Sequence, residues 1–202
     1  MTLVLGITGA IASGKSSAAA GFVELGAAAV SADQLAREVV APGSATLAAL
    51  VAAFGPGILT AEGGLDRETM AHRVFAEPAA RERLNAITHP AIARLSVERL
   101  GALRANRVPL VVYEAPLLFE AGAERRVDRV LVLTVDPAVQ RARLRARDGL
   151  SQEEIDGRVA AQWPQWQKVA RADFVIDNSG SMEQLRARIT ELHRYLLSAS
   201  PR

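Results

Sequence analysis

The sequence predicts an α/β fold with a five-stranded parallel sheet, and three observations carry that prediction. Short runs of aliphatic and β-branched residues, typical of buried strands, recur along the chain. Helical patterns separate most of these runs, which favours parallel strands joined by right-handed crossovers. A glycine-containing segment follows the first run and leads into an alanine-rich helix. The predicted strands are residues 3–8, 27–32, 109–114, 129–135 and 173–178.

The segment "ITGAIASGKSS", residues 7–17, has the spacing of a phosphate-binding loop. Residues Gly9 to Ser16 fit the pattern G-x-x-x-x-G-K-[ST] between a strand and a helix, as the motif requires. The glycines allow a tight turn that points backbone N–H groups inward, and the helix adds the positive end of its dipole. Lys15 can neutralise phosphate charge, and the Ser16 hydroxyl can ligate Mg²⁺. A chance match is expected in roughly one such chain in a thousand.

The alternative interpretation of this segment is a secretory leader that ends in Ala-Ile-Ala. A leader needs a positively charged region before its apolar core, and Met1-Thr2 supplies none. No apolar stretch reaches the roughly 18 residues that a membrane span needs. The sequence therefore favours the phosphate-binding loop, and we expect no membrane partner.

Composition limits the other classes of function. The chain has 202 residues, enough for one domain, and its lack of cysteine excludes disulfides and thiolate chemistry. The net charge is +2, and Lys15 and Lys168 are the only lysines. The abundant arginine suits forked contacts with phosphate, although a general preference for arginine over lysine explains the same count. The absence of cysteine fits the cytoplasm, where we expect the protein to work. Because no basic block is present, we expect no nucleic-acid partner, and we expect a monomer.

A long helical region separates the second and third predicted strands. Three helical patterns, at residues 46–54, 67–75 and 79–87, fill it without a convincing strand. Breaks are expected at Pro42-Gly43, Pro56-Gly57, Gly63-Gly64 and Pro78. We expect residues 36–106 to form a helical lobe over the edge of the sheet.

A second helical excursion, residues 137–171, is rich in arginine. On a regular helix Arg141 and Arg145 share one face, and Arg143 and Arg147 lie on roughly the opposite one. The helix is expected to end at Asp148-Gly149, and "SQEE" at 151–154 predicts a capping box that opens another helix. Such a region beside a phosphate-binding loop is typical of a closing lid, although a plain solvated face is the alternative.

The ends of the predicted strands indicate where a site would lie. Ligands of parallel sheets bind beyond the carboxyl ends of the strands. The residues expected near that edge are Gly9, Asp33, Glu114, Asp136 and Asn178.

Several longer segments together resemble the dephospho-CoA kinase family, over about nine-tenths of the chain. They are "SADQLAREVVAPG" (31–43), "GGLDRETMAHRVF" (63–75), "LNAITHP" (84–90), "PLLFEAG" (116–122), "QRARLRARDG" (140–149) and "AAQWPQWQKVARADFVIDNSGS" (160–181), in the family's order. The resemblance implies a three-layer P-loop kinase fold with a helical acceptor-binding lobe and an arginine-rich lid. The whole chain would be one domain, with its core at about 1–35, 107–136 and 172–202. The implied activity is Mg²⁺- and ATP-dependent phosphorylation of the 3′-hydroxyl of dephospho-CoA.

The resemblance also implies roles for individual residues. Asp33 would be the general base, assisted by Lys15 and Arg141. Ser16 would ligate the metal, and Glu114 is a candidate for holding the water ligands of the ion. The residues expected to bind ATP are Gly9, Ala12, Ser13, Gly14, Lys15, Ser16, Ser17, Arg147 and Asn178. The residues expected to bind the acceptor are Thr8, Asp33, Arg37, His89, Pro116, Leu117, Arg141 and Gln162.

Structural alternatives stand beside several of these roles. Asp33 is also a candidate N-cap for the helix that follows it, and Asn178 a plain turn residue. His89 precedes Pro90, which predicts an extended residue just before a helix. We expect Arg143 and Arg145 to be solvated.

Three departures from the family pattern stand out. Ala10 and Ala12 occupy loop positions where the family usually has glycine, which costs little only if their φ angles are negative. Glu114 ends the third strand, where many phosphate-loop enzymes have aspartate. Trp163 and Trp166 lie in a variable segment, where they would pack the lid or line the acceptor path.

Rival functions remain. Another small-molecule or nucleoside monophosphate kinase would share the loop and the lid. A non-catalytic guanine-nucleotide switch would need an Asn-Lys-x-Asp motif, which the sequence lacks.

Overall fold

A computed structural model describes residues 1–199 of the chain. Its central element is a parallel five-stranded sheet with the strand order β2-β3-β1-β4-β5. The strands are β1 Leu3–Gly9, β2 Ala28–Ser31, β3 Leu110–Glu114, β4 Arg129–Thr134 and β5 Phe174–Asp177. The predicted α/β class, the five strands and their parallel direction are confirmed.

Helices connect the strands. They are α1 Lys15–Glu24, α2 Ala32–Glu38, α3 Ala45–Phe54, α4 Arg67–Ala76, α5 Pro78–Ala105, α6 Pro137–Asp148, α7 Gln152–Ala160, α8 Gln165–Val169 and α9 Met182–Ala199. Short 3₁₀ turns occur at Pro56–Ile58 and Ala123–Arg126. Within residues 1–199, we find no helix that combines the length and the apolar character needed to cross a bilayer.

The chain divides into two compact units. The first contains residues 1–31 and the chain from Leu100 onward, and the second is Ala32–Arg99. The second unit begins four residues earlier than the expected lobe, because α2 belongs to it, and the assignment of the whole chain as one domain stays a prediction.

The core of the first unit lies between the sheet and the helices α1 and α9. Phe22 of α1 is fully buried, together with Leu5 and Leu131 of the central strands. Ile189 of α9 belongs to the same apolar cluster. Burying one such side chain contributes about 1.5–3 kcal/mol, so this cluster fixes β1, from which the loop starts.

The second unit is a helical subdomain with its own core. Val40, Leu50, Ile58 and Met70 form its buried cluster. The N-terminus of α3 is capped by Ser44 Oγ, which accepts from Leu47 N at 3.1 Å. Asp66 caps α4 in the same way, through Thr69 N at 3.0 Å. The patterns at 46–54 and 67–75 therefore predicted these two helices correctly.

The prediction of an extended His89 is wrong. Helix α5 runs for 28 residues without interruption and contains Pro90 in its interior. Proline removes one helical hydrogen bond and costs about 3 kcal/mol there. Ala91, the next residue in the chain, is buried. This packing, together with the helix on both sides of Pro90, outweighs the cost of the proline.

Candidate active site

The glycine-containing loop lies between the central strand β1 and the first turn of α1. Gly9 and Gly14 both have positive φ angles, 150° and 88°. A Cβ atom at position 9 would collide with the Leu133 carbonyl oxygen, and one at position 14 with the Asn178 side chain. Both glycines of the motif are therefore required by backbone angle and by space.

Side-chain donors hold the carbonyl groups of the loop. Carbonyl oxygens repel phosphate, so engaging them elsewhere leaves the loop better suited to an anion. The bonds are Lys15 Nζ to Ala10 O at 2.9 Å, Gln140 Nε2 to Ile11 O at 2.8 Å, Arg143 Nη1 to Ala12 O at 3.5 Å and Asn178 Nδ2 to Ser13 O at 2.8 Å.

Ala12 is strained, whereas Ala10 is not. Within residues 1–199, the non-glycine residues with positive φ are Ala12, at 59°, and Arg107. A left-handed conformation costs an alanine roughly 1–2 kcal/mol. Alanine in place of glycine therefore costs little at position 10, where φ is not positive, but is costly at position 12, where φ is positive.

Ser16 and Glu114 offer oxygen ligands beside the loop. Ser16 Oγ donates to Glu114 Oε1 at 2.6 Å. Glu114 is the last residue of β3, so the parallel sheet brings its carboxylate to the end of β1 where the loop starts. A hydroxyl next to a carboxylate is a donor set that fits Mg²⁺, which prefers oxygen and retains several waters.

A cleft of about 580 Å³ adjoins the loop. The residues that line it are Ala12, Gly14, Lys15, Ser16, Ser17, Arg143, Ala146, Arg147, Asn178 and Met182. Six predicted ATP-binding residues, Ala12, Gly14, Lys15, Ser16, Ser17 and Asn178, therefore share one cavity with predicted Arg147. Arg143, which we expected to be solvated, lines it too.

The predicted lid, residues 137–171, has the helical boundaries that its sequence predicts. Helix α6 ends at Asp148 with Gly149 in a left-handed conformation, and Ser151 and Glu154 form the expected capping box of α7. The Ser151 backbone N–H, the larger influence, and its hydroxyl both lower the pKa of Glu154.

The two arginine faces of α6 have different partners. Arg141 Nη2 donates to Asp156 Oδ1 at 2.9 Å, and Arg145 Nη2 donates to Gln152 Oε1 at 2.9 Å, so this face binds α7. Arg143 and Arg147 face the cleft. The four arginines thus occupy the two faces that their spacing predicts. Arg141 pairs with a carboxylate of the predicted lid, and Arg143 is turned to the loop.

Arg147 forms an ion pair with its neighbour Asp148. Its Nε and Nη2 atoms donate to the two carboxylate oxygens of Asp148, at 2.7 and 2.8 Å. This bond raises the pKa of Arg147 and lowers that of Asp148. The guanidinium is thus permanently charged at the mouth of the cleft.

Asn178 supports the loop from the end of β5. Its side chain is buried, and its Nδ2 donates to Ser13 O. Among the bonds of the described residues, its buried Oδ1 has no partner. The structure thus gives Asn178 a definite role beneath the loop, and its predicted contact with adenine stays a prediction.

The expected acceptor-binding residues fall into two groups. In the first unit, Thr8 Oγ1 donates to Pro116 O at 3.2 Å, and Leu117 is exposed. Gln162 Oε1 accepts from Ile11 N at 2.8 Å, so this side chain contacts the loop. The others belong to the helical unit: Asp33 in the first turn of α2, Arg37 in its last turn, and His89 in α5. Because α2 begins at Ala32, Asp33 lies inside the helix and is not its N-cap.

Sequence reasoning missed Gln140 and Arg143. A signal was present, because residues 140, 143 and 147 follow the spacing i, i+3, i+7 of one helix face. This face was not predicted because its first member is a glutamine and only the arginines were compared.

Sequence reasoning also missed Lys168 and Glu120. Lys168 Nζ lies 2.8 Å from Glu120 Oε1 and donates to Pro116 O at 3.0 Å. Trp163 stacks on Phe119, with ring centroids 6.3 Å apart, whereas Trp166 is exposed. Of the two tryptophans, Trp163 therefore packs the base of the lid.

Comparisons with known proteins agree with this geometry. The sequence model of a family described as "Dephospho-CoA kinase" matches residues 3–184. A protein of that name from Geobacter sulfurreducens is 51% identical over 94% of this chain and 96% of its own length. Another from Geobacter metallireducens is 48% identical over 99% of this chain and 100% of its own length.

Solved structures give the same result. TT1252 from Thermus thermophilus has a TM-score of 0.80 and 37% identity, covering 99% of each chain. The dephospho-CoA kinase from Campylobacter jejuni has a TM-score of 0.74 and 28% identity, covering 98% of each chain. The extent of these matches, together with the loop and the lid, shows that the chain belongs to the dephospho-CoA kinase family.

Proposed function

We propose that this chain transfers the γ-phosphoryl group of ATP to the 3′-hydroxyl of dephospho-CoA, giving coenzyme A and ADP in the last step of coenzyme A biosynthesis. The observation that carries the proposal is the donor site, in which the loop, Ser16 and two lid arginines share one cleft. Membership of the family supports dephospho-CoA as the acceptor. The bond that forms joins the 3′-oxygen to the γ-phosphorus, and the bond that breaks joins that phosphorus to the β–γ bridging oxygen.

The donor phosphates bind at the start of α1. The backbone N–H groups of the loop and the positive end of the helix dipole favour an anion there. Lys15 Nζ, which donates to Ala10 O at 2.9 Å, exchanges that carbonyl for a phosphate oxygen when ATP binds. The exchange replaces a neutral carbonyl acceptor by an anionic phosphate oxygen, so that both partners of the hydrogen bond carry charge.

Ser16 and Glu114 are the residues that would hold Mg²⁺. When bound, the ion would neutralise part of the negative charge of the donor phosphates. Ser16 would contribute its hydroxyl oxygen, and Glu114 would orient the water ligands. Their 2.6 Å hydrogen bond supports this assignment, because it keeps both oxygens together beside the cleft.

The lid stabilises the charge that develops on the transferred group. Arg143 and Arg147 line the cleft, and we assign this role to both. For Arg141, the role that we predicted from the sequence requires its bond to Asp156 to open first. An arginine at such a site excludes water and offers fixed donors to the equatorial oxygens.

Asp33 accepts the proton of the 3′-hydroxyl as the phosphoryl group departs. It is an exposed carboxylate that follows Ser31, the end of β2, by two residues. Arg37, His89, Thr8, Pro116, Leu117 and Gln162 bind the acceptor in this proposal. Phosphoryl transfer needs little beyond a well-placed acceptor hydroxyl and a group that takes its proton, because most of the rate acceleration comes from alignment and charge stabilisation.

We propose that the enzyme works in the cytoplasm as a monomer, without a nucleic-acid or membrane partner. The absence of cysteine and of a basic block in the sequence supports this setting. Light scattering after size exclusion tests the monomer directly.

The central experiment compares acceptors. The purified chain is incubated with Mg-ATP and, separately, with dephospho-CoA, adenosine, AMP, CMP or shikimate, and ADP release is followed. We expect a rate above the water blank for dephospho-CoA, with coenzyme A identified by mass. A rate for another acceptor and none for dephospho-CoA would instead assign the chain to a different small-molecule kinase activity.

A further inference from the structure

We propose that Gln140 and Gln162 form a two-sided clamp on Ile11, through which the lid holds the donor loop in its phosphate-binding conformation. In the clamp both act as positioning residues, because they contact the loop; for Gln162 this role is additional to the acceptor contact proposed above, which is why binding is measured without acceptor. The inference deepens the donor half of the proposed function and rests on ATP being the ligand of the loop.

Both polar backbone groups of Ile11 are engaged by this pair. Gln162 Oε1 accepts from Ile11 N at 2.8 Å, and Gln140 Nε2 donates to Ile11 O at 2.8 Å. The peptide groups on either side of the Ile11 Cα are thereby fixed in orientation. The neighbouring residues Ala10, Ala12 and Ser13 are bound by side chains at their carbonyl oxygens, whereas Ile11 is bound by side chains at both its N–H and its carbonyl.

The two glutamines come from opposite ends of the lid. Gln140 lies in the first turns of α6 and is only 6% exposed, whereas Gln162 lies two residues beyond α7. A buried amide must be hydrogen-bonded, so the Gln140 contact is specified by its surroundings. The lid therefore closes on one loop residue from both sides, and its position sets that of the loop.

The loop of this chain needs such a clamp because of Ala12. This residue follows Ile11 directly and has a φ of 59°, which an L-alanine adopts only at a cost. Arg143 Nη1 adds a third lid contact at the Ala12 carbonyl, at 3.5 Å. A glycine at position 12 would adopt this angle freely, so the clamp replaces by tertiary contact what glycine would supply locally.

The clamp should change the measured affinity for Mg-ATP. Apparent affinity for a ligand falls in proportion to the fraction of protein in the binding-competent conformation. Loss of a clamp bond lets Ala12 relax to negative φ, and the competent fraction falls. With glycine at position 12 the same loss leaves that fraction nearly unchanged.

The test is a set of double-mutant cycles read by binding. Gln140→Met and Gln162→Met remove the hydrogen bonds and keep the side-chain length, and each is made with Ala12 and with Ala12→Gly. The Kd of Mg-ATP is measured by calorimetry without acceptor, and circular dichroism verifies that each variant is folded. Gln165→Met is the matched control, because Gln165 makes a similar pair of bonds to the backbone of Val135, which is not part of the loop.

We expect each clamp variant to bind Mg-ATP about five- to tenfold more weakly when position 12 is alanine, and less than about twofold more weakly when it is glycine. The control should stay within about twofold. Equal losses in both backgrounds, no loss at all, or an equal loss in the control would each overturn the clamp. Failure of the unmodified folded chain to bind Mg-ATP would overturn the proposed function as well.

Discussion

Lys168 Nζ lies 2.8 Å from Glu120 Oε1, and the Lys168 side chain is completely buried. The same carboxylate oxygen accepts from Trp163 N at 3.1 Å, and Lys168 also donates to Pro116 O. This ion pair joins the segment after β3 to the base of the lid. A buried cation without its partner is expensive, so both members must be kept or both neutralised.

Lys168→Met is therefore expected to lower the free energy of unfolding by about 3–5 kcal/mol, because it leaves the Glu120 charge unpaired. Adding Glu120→Gln should recover a large part of that loss while keeping an acceptor for Trp163 N. Urea denaturation measures both. Arg186→Met, at an exposed pair 3.9 Å from Glu24, is the control and should change stability by less than about 1 kcal/mol. Additive effects at 168 and 120 would contradict the coupling.

Asp33→Asn is expected to reduce turnover by roughly 10²–10⁴ and to leave Mg-ATP binding nearly unchanged, because only the proton acceptor is lost. Steady-state ADP release and calorimetry separate the two quantities. Glu38→Gln, another exposed carboxylate on α2, is the matched control and should retain normal turnover. Near-normal turnover of the Asp33 variant would remove this residue from the role of base.

Substitution of the lid arginines should lower kcat/KM strongly on the face of α6 that lines the cleft and weakly on the other face. Arg143→Ala is expected to lower kcat/KM by roughly 10²–10³, because it removes a donor from the cleft. Arg145→Ala removes a contact to Gln152 on the other face and should cost less than about threefold. Comparison of kcat/KM for ATP in the two variants is the measurement. Equal losses would indicate that the lid, and not the cleft face, was damaged.

Glu114→Gln is expected to raise the Mg²⁺ concentration needed for half-maximal rate by about 10- to 100-fold, as for loss of a group that orients metal ligands. The Ser16 hydroxyl would then lack its charged partner at 2.6 Å. Initial rates over a Mg²⁺ titration at fixed free ATP give the result. Glu153→Gln, an exposed residue of α7, is the control, and an unchanged Mg²⁺ requirement at position 114 would exclude the assignment.

Asp66 makes the stability of the helical unit sensitive to acid. The Thr69 backbone N–H, and then its hydroxyl, hold the pKa of Asp66 below its ordinary value of 3.8. A carboxylate with a lowered folded-state pKa stabilises the protein above its unfolded pKa and loses that effect as the pH falls through the folded value.

The stability difference between the unmodified chain and Asp66→Asn should therefore be present at neutral pH and shrink below about pH 3.8, as measured by thermal unfolding between pH 7 and 2. Ser44→Ala, at the uncharged cap of α3, should lose about 1 kcal/mol without that pH dependence. A constant Asp66 difference would contradict a charged cap.

Local patterns were sufficient for much of this fold. The five strands, the loop between Gly9 and Ser16, the end of α6 at Gly149 and the capping box at Ser151 follow from residues within a few positions of one another. Pro90 shows the limit, because its local preference opposed a helix that packing of the surrounding residues sustains. The two faces of α6 were likewise correct from periodicity, but periodicity does not say which face meets the cleft.

The sequence by itself determined the fold class and the chemistry of the donor loop, because strand periodicity, glycine spacing and caps are short-range properties. Its longer segments indicated the family by resemblance. Only the tertiary structure decided that Arg143 faces the cleft, that Ala12 is left-handed between Gln140 and Gln162, and that Lys168 is neutralised by Glu120. Each of these depends on contacts between residues far apart in the chain, 48 positions for the last pair. Their energies come from burial and hydrogen bonding, which no local window of sequence contains.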